Sequence, residues 1–96
     1  MIKEYNQIIK ELREDKDMNQ KELSKIFNIS QQTLSQYETK RRALPIELLR
    51  EYAKFFEVST DYILGLTTNK EPNYKIRNQV NAQVNVKTNK IKININ

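Results

Sequence analysis

Cysteine, histidine and tryptophan are all missing from the 96-residue chain, and glycine occurs once. Without cysteine there is neither a disulfide framework nor a thiol nucleophile. Without histidine the common zinc sites, hydrolytic triads and neutral-pH general bases go as well. An enzyme would have to work with carboxylates or lysines alone, so no catalytic residue, no metal site and no cofactor is expected. No window comes near the roughly 18 uncharged apolar residues of a membrane span, and the opening MIKEYNQIIKELRED lacks the basic-then-apolar order of a secretion signal. The expectation is a cytoplasmic protein with no membrane contact, and the sequon Asn28-Ile29-Ser30 is then read as chance. A small domain of this kind buries only about 60% of its unfolded surface, which disfavours a large enclosed substrate cavity.

Acidic residues are scarce at one end. Residues 1–69 carry 11 Lys+Arg and 11 Asp+Glu, whereas residues 70–96 carry 6 against 1, so the whole surplus of +5 lies in the tail. Such a tail is either a solubilising appendage or a segment that contacts a polyanion.

What is present is a run of helical signals. Tyr5, Ile8, Ile9 and Leu12 follow the i, i+3, i+4, i+7 spacing of an amphipathic helix over about residues 3–15. Asn19, with Glu22 three positions on, forms a capping box that opens a second helix, whose apolar face is Leu23, Ile26 and Phe27. Asn28 ends it, since asparagine tolerates the left-handed conformation of a sharp helix exit. Ser30 caps a third helix over about 31–38, in which Leu34 and Tyr37 share one side while Gln32, Ser35 and Gln36 point away and Gln31 sits in the first turn. Pro45 suits the first turn of a fourth helix with a stripe of Leu48, Leu49, Tyr52, Ala53 and Phe56. Ser59 and Gly65 bound a short fifth. Tyr5, Tyr37, Tyr52 and Tyr62 fall at apolar positions and are assigned to core packing.

Beyond Leu66 the pattern changes. TTNKEPNY reads as a linker, and from Gln79 the period becomes two, with Val80, Ala82, Val84 and Val86 alternating with polar residues and Ile91, Ile93 and Ile95 resuming after Thr88-Asn89-Lys90. That alternation predicts one or two half-buried strands; an Asn-rich disordered tail is the alternative. The expected organisation is a helical domain over 1–68, a linker over 69–78 and a strand-forming oligomerisation tail over 79–96.

Between Gln20 and Glu38 the demands of a helix-turn-helix are met in order: Ser24 is small where the helices cross, Asn28 can take positive φ in the turn, and Ile29, Leu34 and Tyr37 supply the inward face. The stretch NQKELSKIFNISQQTLSQYE, the basic Lys40-Arg41-Arg42 and the closing VSTDYILGL resemble the lambda-repressor-like, Cro/C1-type (Xre) helix-turn-helix regulators of bacteria and their phages, over roughly residues 5–66. The SQQTLSQYE segment is similar to that of phage repressors in this family with paired glutamines at the start of the recognition helix. Lys40 departs from the pattern, where many members have glycine.

The resemblance implies a mainly α, five-helix domain that binds double-stranded operator DNA as a two-fold dimer, in the nucleoid. It implies that Gln31, Gln32, Ser35 and Gln36 contact bases, and that Asn19, Gln20, Thr33, Lys40, Arg41 and Arg42 contact phosphates, with Gln20 also bracing Gln31. It further implies a partly buried structural ion pair between Arg13 and Glu38. The residue chemistry fits. A glutamine carboxamide sets a donor beside an acceptor, matching N6 and N7 of adenine in the major groove, whereas a lysine there would bind any phosphate and specify little. The tail face of Val80, Val84, Val86, Ile91, Ile93 and Ile95 has no partner within one chain, so pairing between protomers into a dimer or higher homo-oligomer is expected. The functional reading is a sequence-specific transcriptional regulator, a repressor at a palindromic operator. The alternative is an antitoxin that autoregulates its operon and holds a toxin, or another protein partner such as an antirepressor, through its tail.

Overall fold

The computed structural model describes residues 3–72, which form α1 (Tyr5–Asp15), α2 (Gln20–Ile26), α3 (Gln31–Glu38), α4 (Ile46–Phe56) and α5 (Thr60–Ile63). All secondary structure among the described residues is helical. The strands expected to carry Val80, Val84, Val86, Ile91, Ile93 and Ile95 lie outside the described residues.

Side chains set the helix starts. Asn19 Oδ1 accepts from the Glu22 backbone N–H at 2.8 Å while the Glu22 carboxylate accepts from the Asn19 N–H at 2.9 Å, so two otherwise orphaned donors are satisfied reciprocally. Ser30 Oγ accepts from Thr33 N–H at 3.0 Å, and Ser59 Oγ from Tyr62 N–H at 2.9 Å. Pro45 stands one position earlier than expected, as the N-cap of α4 rather than in its first turn. Its ring-fixed φ of −66° combines with an extended ψ of 152°, and its carbonyl accepts the first bonds of the helix, from Leu48 and Leu49.

The helix ends follow one rule. Each is followed by a residue in the left-handed region: Asp17 (φ 55°), Asn28 (58°), Lys40 (63°), Glu57 (54°) and Gly65 (79°). The N–H of the next residue then reaches back five positions, in Met18 to Arg13 O, Ile29 to Ser24 O, Arg41 to Gln36 O, Val58 to Ala53 O and Leu66 to Asp61 O. This six-to-one bond is the Schellman closure, and it satisfies carbonyls that the helix itself cannot. Four of the five left-handed residues carry a β-carbon, so tertiary packing and the returning bond overcome the local preference.

The core gathers Ile8, Ile9 and Leu12 from α1, Leu23 from α2, Leu34 and Tyr37 from α3, Leu48, Tyr52, Ala53 and Phe56 from α4, and Val58 and Ile63 near α5. Ser24 is buried where α2 meets α3, and its hydroxyl is satisfied by Lys21 O at 2.8 Å. Ile26 corrects the sequence reading: it is 49% exposed. The buried side of α2 is Leu23 and Ser24, with Phe27 partly buried beside them, and at 100° per residue Ile26 falls roughly 100° from the centre of that arc. Phe27 packs instead into an aromatic group, tilted against Tyr52 at 4.7 Å between centroids and edge-on to Phe55 at 6.0 Å. Leu49 and Ile29 are only partly buried. Residues 69–72 return over α5: Ser59 N–H donates to Lys70 O at 2.9 Å, the Lys70 ammonium lies 5.5 Å from the Tyr62 ring, and Pro72 is fully buried.

Candidate nucleic-acid interface

The α2–turn–α3 unit is fixed from within. Leu34 and Tyr37 anchor the inner side of α3, the Ser30 cap fixes its first turn, and the turn closes through Asn28 and Ile29. What remains outward is a row of amides and hydroxyls. Gln31 and Gln32 are exposed, Ser35 and Gln36 half-buried, and none of these four side chains forms a hydrogen bond within the described residues. Their donors and acceptors are therefore unspent, which is the condition for reading base edges. Thr33 is partly committed: its Oγ1 accepts from the Ser30 hydroxyl at 2.8 Å, leaving its own O–H to donate outward.

Behind α3 lies a buried polar hub centred on Glu38. Arg13 Nε donates to Glu38 Oε2 at 2.8 Å and Nη2 to Oε1 at 3.0 Å, a bidentate pair whose side chains are only 9% and 2% exposed. The third guanidinium nitrogen, Nη1, donates to Met18 O at 2.7 Å and so ties the α1–α2 turn to the same point. The hydrogen bond to Glu38 raises the Arg13 pKa further, against the opposing effect of burial. Nearby, the Tyr52 hydroxyl is buried without a hydrogen-bond partner among the described residues, and burial pushes its pKa well above the ordinary tyrosine value, with the Glu38 charge adding to the shift.

Several phosphate candidates differ from one another in what they have left to offer. Gln20 directs its side-chain Nε2 to Glu38 Oε1 at 3.0 Å, so the residue that its amide braces is Glu38, and no bond to Gln31 is formed. An ionised carboxylate accepts only, which is why the amine end of the carboxamide turns inward. Asn19 has committed its backbone N–H and its Oδ1 to the capping box, leaving only its Nδ2 for a phosphate. Lys40 is engaged by the start of α1: its ammonium pairs with Glu4 and lies 6.0 Å from the Tyr5 ring, with its pKa raised by the Glu4 hydrogen bond. Arg41 and Arg42 are exposed and form no ion pair among the described residues, while their backbone N–H groups both donate to Gln36 O, at 2.9 and 3.2 Å. Two contributors were not singled out in the sequence. Asn6 donates to Glu38 O at 3.3 Å and Glu4 holds Lys40, across separations of 32 and 36 residues that carry no local signal.

No group of His, Cys, Asp and Glu side chains suited to a metal ion occurs among the described residues, and none of their helices is long and apolar enough to cross a membrane. The helix-turn-helix family model matches residues 9–63, which runs from within α1 to the end of α5. A protein of Bacillus subtilis (strain 168), named uncharacterized HTH-type transcriptional regulator YobD, is 30% identical over 74 residues, a match that takes in 77% of this chain and 66% of that protein. No solved structure matches the chain significantly.

Proposed function

Because the chain belongs to the Cro/C1-type helix-turn-helix family of DNA-binding transcriptional regulators, we propose that it is a repressor that lays α3 in the major groove of a palindromic operator as a homodimer. The observation that carries this reading is the row of unspent side chains at Gln31, Gln32, Ser35 and Gln36 on a helix whose opposite side is locked into the core. Gln31, Gln32 and Gln36 read adenine edges, Ser35 contacts a base edge, and Arg41 and Arg42 neutralise phosphates beside them. Gln20, Asn19 and Thr33 add neutral phosphate contacts through the donors that remain to them.

One recognition helix reads few base pairs, so specific affinity calls for a second copy one turn of duplex away. The alternating apolar residues from Val80 to Ile95 supply the pairing surface for that copy. Repression is then steric, by occupancy of a promoter.

Selection of bound duplexes from a random DNA pool tests the reading. The expected product is a palindrome with A·T-containing half-sites spaced by one helical turn. A pool that shows no enrichment, or an affinity with no sequence preference at any salt concentration, overturns it.

A further inference from the structure

The exit from α3 is built differently from the other four. After the left-handed residue, α1, α2, α4 and α5 each continue with an apolar side chain, Met18, Ile29, Val58 or Leu66. An apolar residue at this position is the usual partner of the Schellman closure, because it packs back on the helix it leaves. Met18 and Ile29 are packed against the core in this way and Val58 is buried within it, whereas Leu66, after α5, is 72% exposed. After α3 the same position holds Arg41, charged and exposed. An Arg41 extended toward a phosphate does not pack back on the turn, which leaves that part open to another side chain.

The left-handed residue itself provides one. Lys40 has no steric reason to sit at φ 63°, where glycine would fit without penalty. Its side chain, however, crosses to the first turn of α1, pairing with Glu4 and approaching the Tyr5 ring at 6.0 Å. Asn6 of the same turn grips the last α3 carbonyl, on Glu38, at 3.3 Å. The start of α1 thus holds the end of α3 by three consecutive residues.

We propose that Lys40 is a positioning residue for operator binding: clasped by Glu4 and Tyr5, it fixes the turn that presents Arg41 and Arg42, and it makes no phosphate contact of its own. This rests on the DNA-binding reading above. It gives Glu4, an acidic residue 36 positions away, a supporting part in binding a polyanion.

Charge exchange separates this role from a phosphate contact. The duplex enriched from the random pool serves as probe, with affinity measured across a salt series for wild type, Glu4→Gln, Lys40→Glu and the Glu4→Lys/Lys40→Glu pair. Removing an acid near DNA should strengthen binding by simple electrostatics. The clasp instead makes Glu4→Gln weaken it about two- to fivefold, the range of a single exposed ion pair. Lys40→Glu weakens it more, and the exchanged pair, which restores the clasp, recovers most of the loss with the wild-type salt slope. A tighter Glu4→Gln, or an exchanged pair as weak as Lys40→Glu with a slope lower by about one, assigns Lys40 to a phosphate and overturns the proposal. Amide hydrogen exchange of the free protein tests the clasp apart from DNA: Glu4→Gln is expected to speed exchange at Arg41 and Arg42, whose N–H groups hold Gln36 O. Unchanged rates at both amides also overturn it, whatever the pool selection gives.

Discussion

Gln20 and Glu38, the first residue of α2 and the last of α3, are joined by a 3.0 Å hydrogen bond from the side-chain amide to the carboxylate. The bond spans the open side of the helix-turn-helix and locks the angle between its two helices at the point farthest from the turn. Glu38 receives Arg13 through both of its oxygens, sharing Oε1 with Gln20, so α1, α2 and α3 converge on one carboxylate.

Gln20→Ala is expected to cost about 1 kcal/mol, the net worth of one hydrogen bond. Gln20→Glu should cost more, because it faces a second carboxylate toward Glu38. Urea denaturation orders the two variants, and a Gln20→Glu protein as stable as Gln20→Ala would mean that the contact is absent in solution.

Arg13→Ala strands the Glu38 carboxylate, which is 2% exposed. A loss of about 3–5 kcal/mol is expected, a large share of the stability of a small domain. The midpoint of chemical denaturation measures it, and a loss below about 1 kcal/mol would show that the pair is hydrated rather than buried.

Tyr52 carries a stability dependence at alkaline pH. Its pKa in the folded state is raised above the ordinary tyrosine value near 10, so the native protein holds that proton more tightly than the unfolded chain does. Stability is therefore fully present below about pH 10 and falls as pH rises toward the folded value. Tyr52→Phe removes the Tyr52 share of this alkaline decline and, since the hydroxyl has no partner among the described residues, raises stability at neutral pH by up to about 1 kcal/mol. Denaturation curves at pH 8 and pH 11 for both proteins decide the point.

Within the DNA-binding reading, Gln32→Ala is expected to relax preference at one base position by about 1–3 kcal/mol, while Arg41→Ala weakens all sequences similarly and lowers the salt slope by about one. Competition binding against single-base variants of the selected duplex measures the first effect and a salt titration the second. Equal losses at every position for both variants would contradict this division of labour.

Ending the chain after Pro72 removes the alternating segment while keeping the buried proline and the Lys70 carbonyl that Ser59 uses. Light scattering at low micromolar concentration is expected to give a monomer for the shortened protein and a dimer for the full chain. A dimeric shortened protein would place the pairing surface within the helical domain.

The helices and their caps were legible because each rests on residues a few positions apart. Asn19 with Glu22, Ser30 with Thr33 and Ser59 with Tyr62 are local arrangements, and the inward face of α3 follows from the three-residue spacing of Leu34 and Tyr37. The exposure of Ile26 was not, since a seven-residue helix has too few apolar positions to fix the centre of its buried arc from periodicity alone. The partners of the polar side chains were the least legible. Nothing near Gln20 in sequence says that it will bond Glu38 rather than Gln31, and nothing near Lys40 points to Glu4; both pairings exist only once the helices have packed.

The outward carboxamides at 31, 32 and 36 have a consequence for how such a protein changes over time. Because they hold nothing in place, a library randomised at those three positions should yield mostly folded members with altered preferences, so new targets can be explored without unfolding along the way.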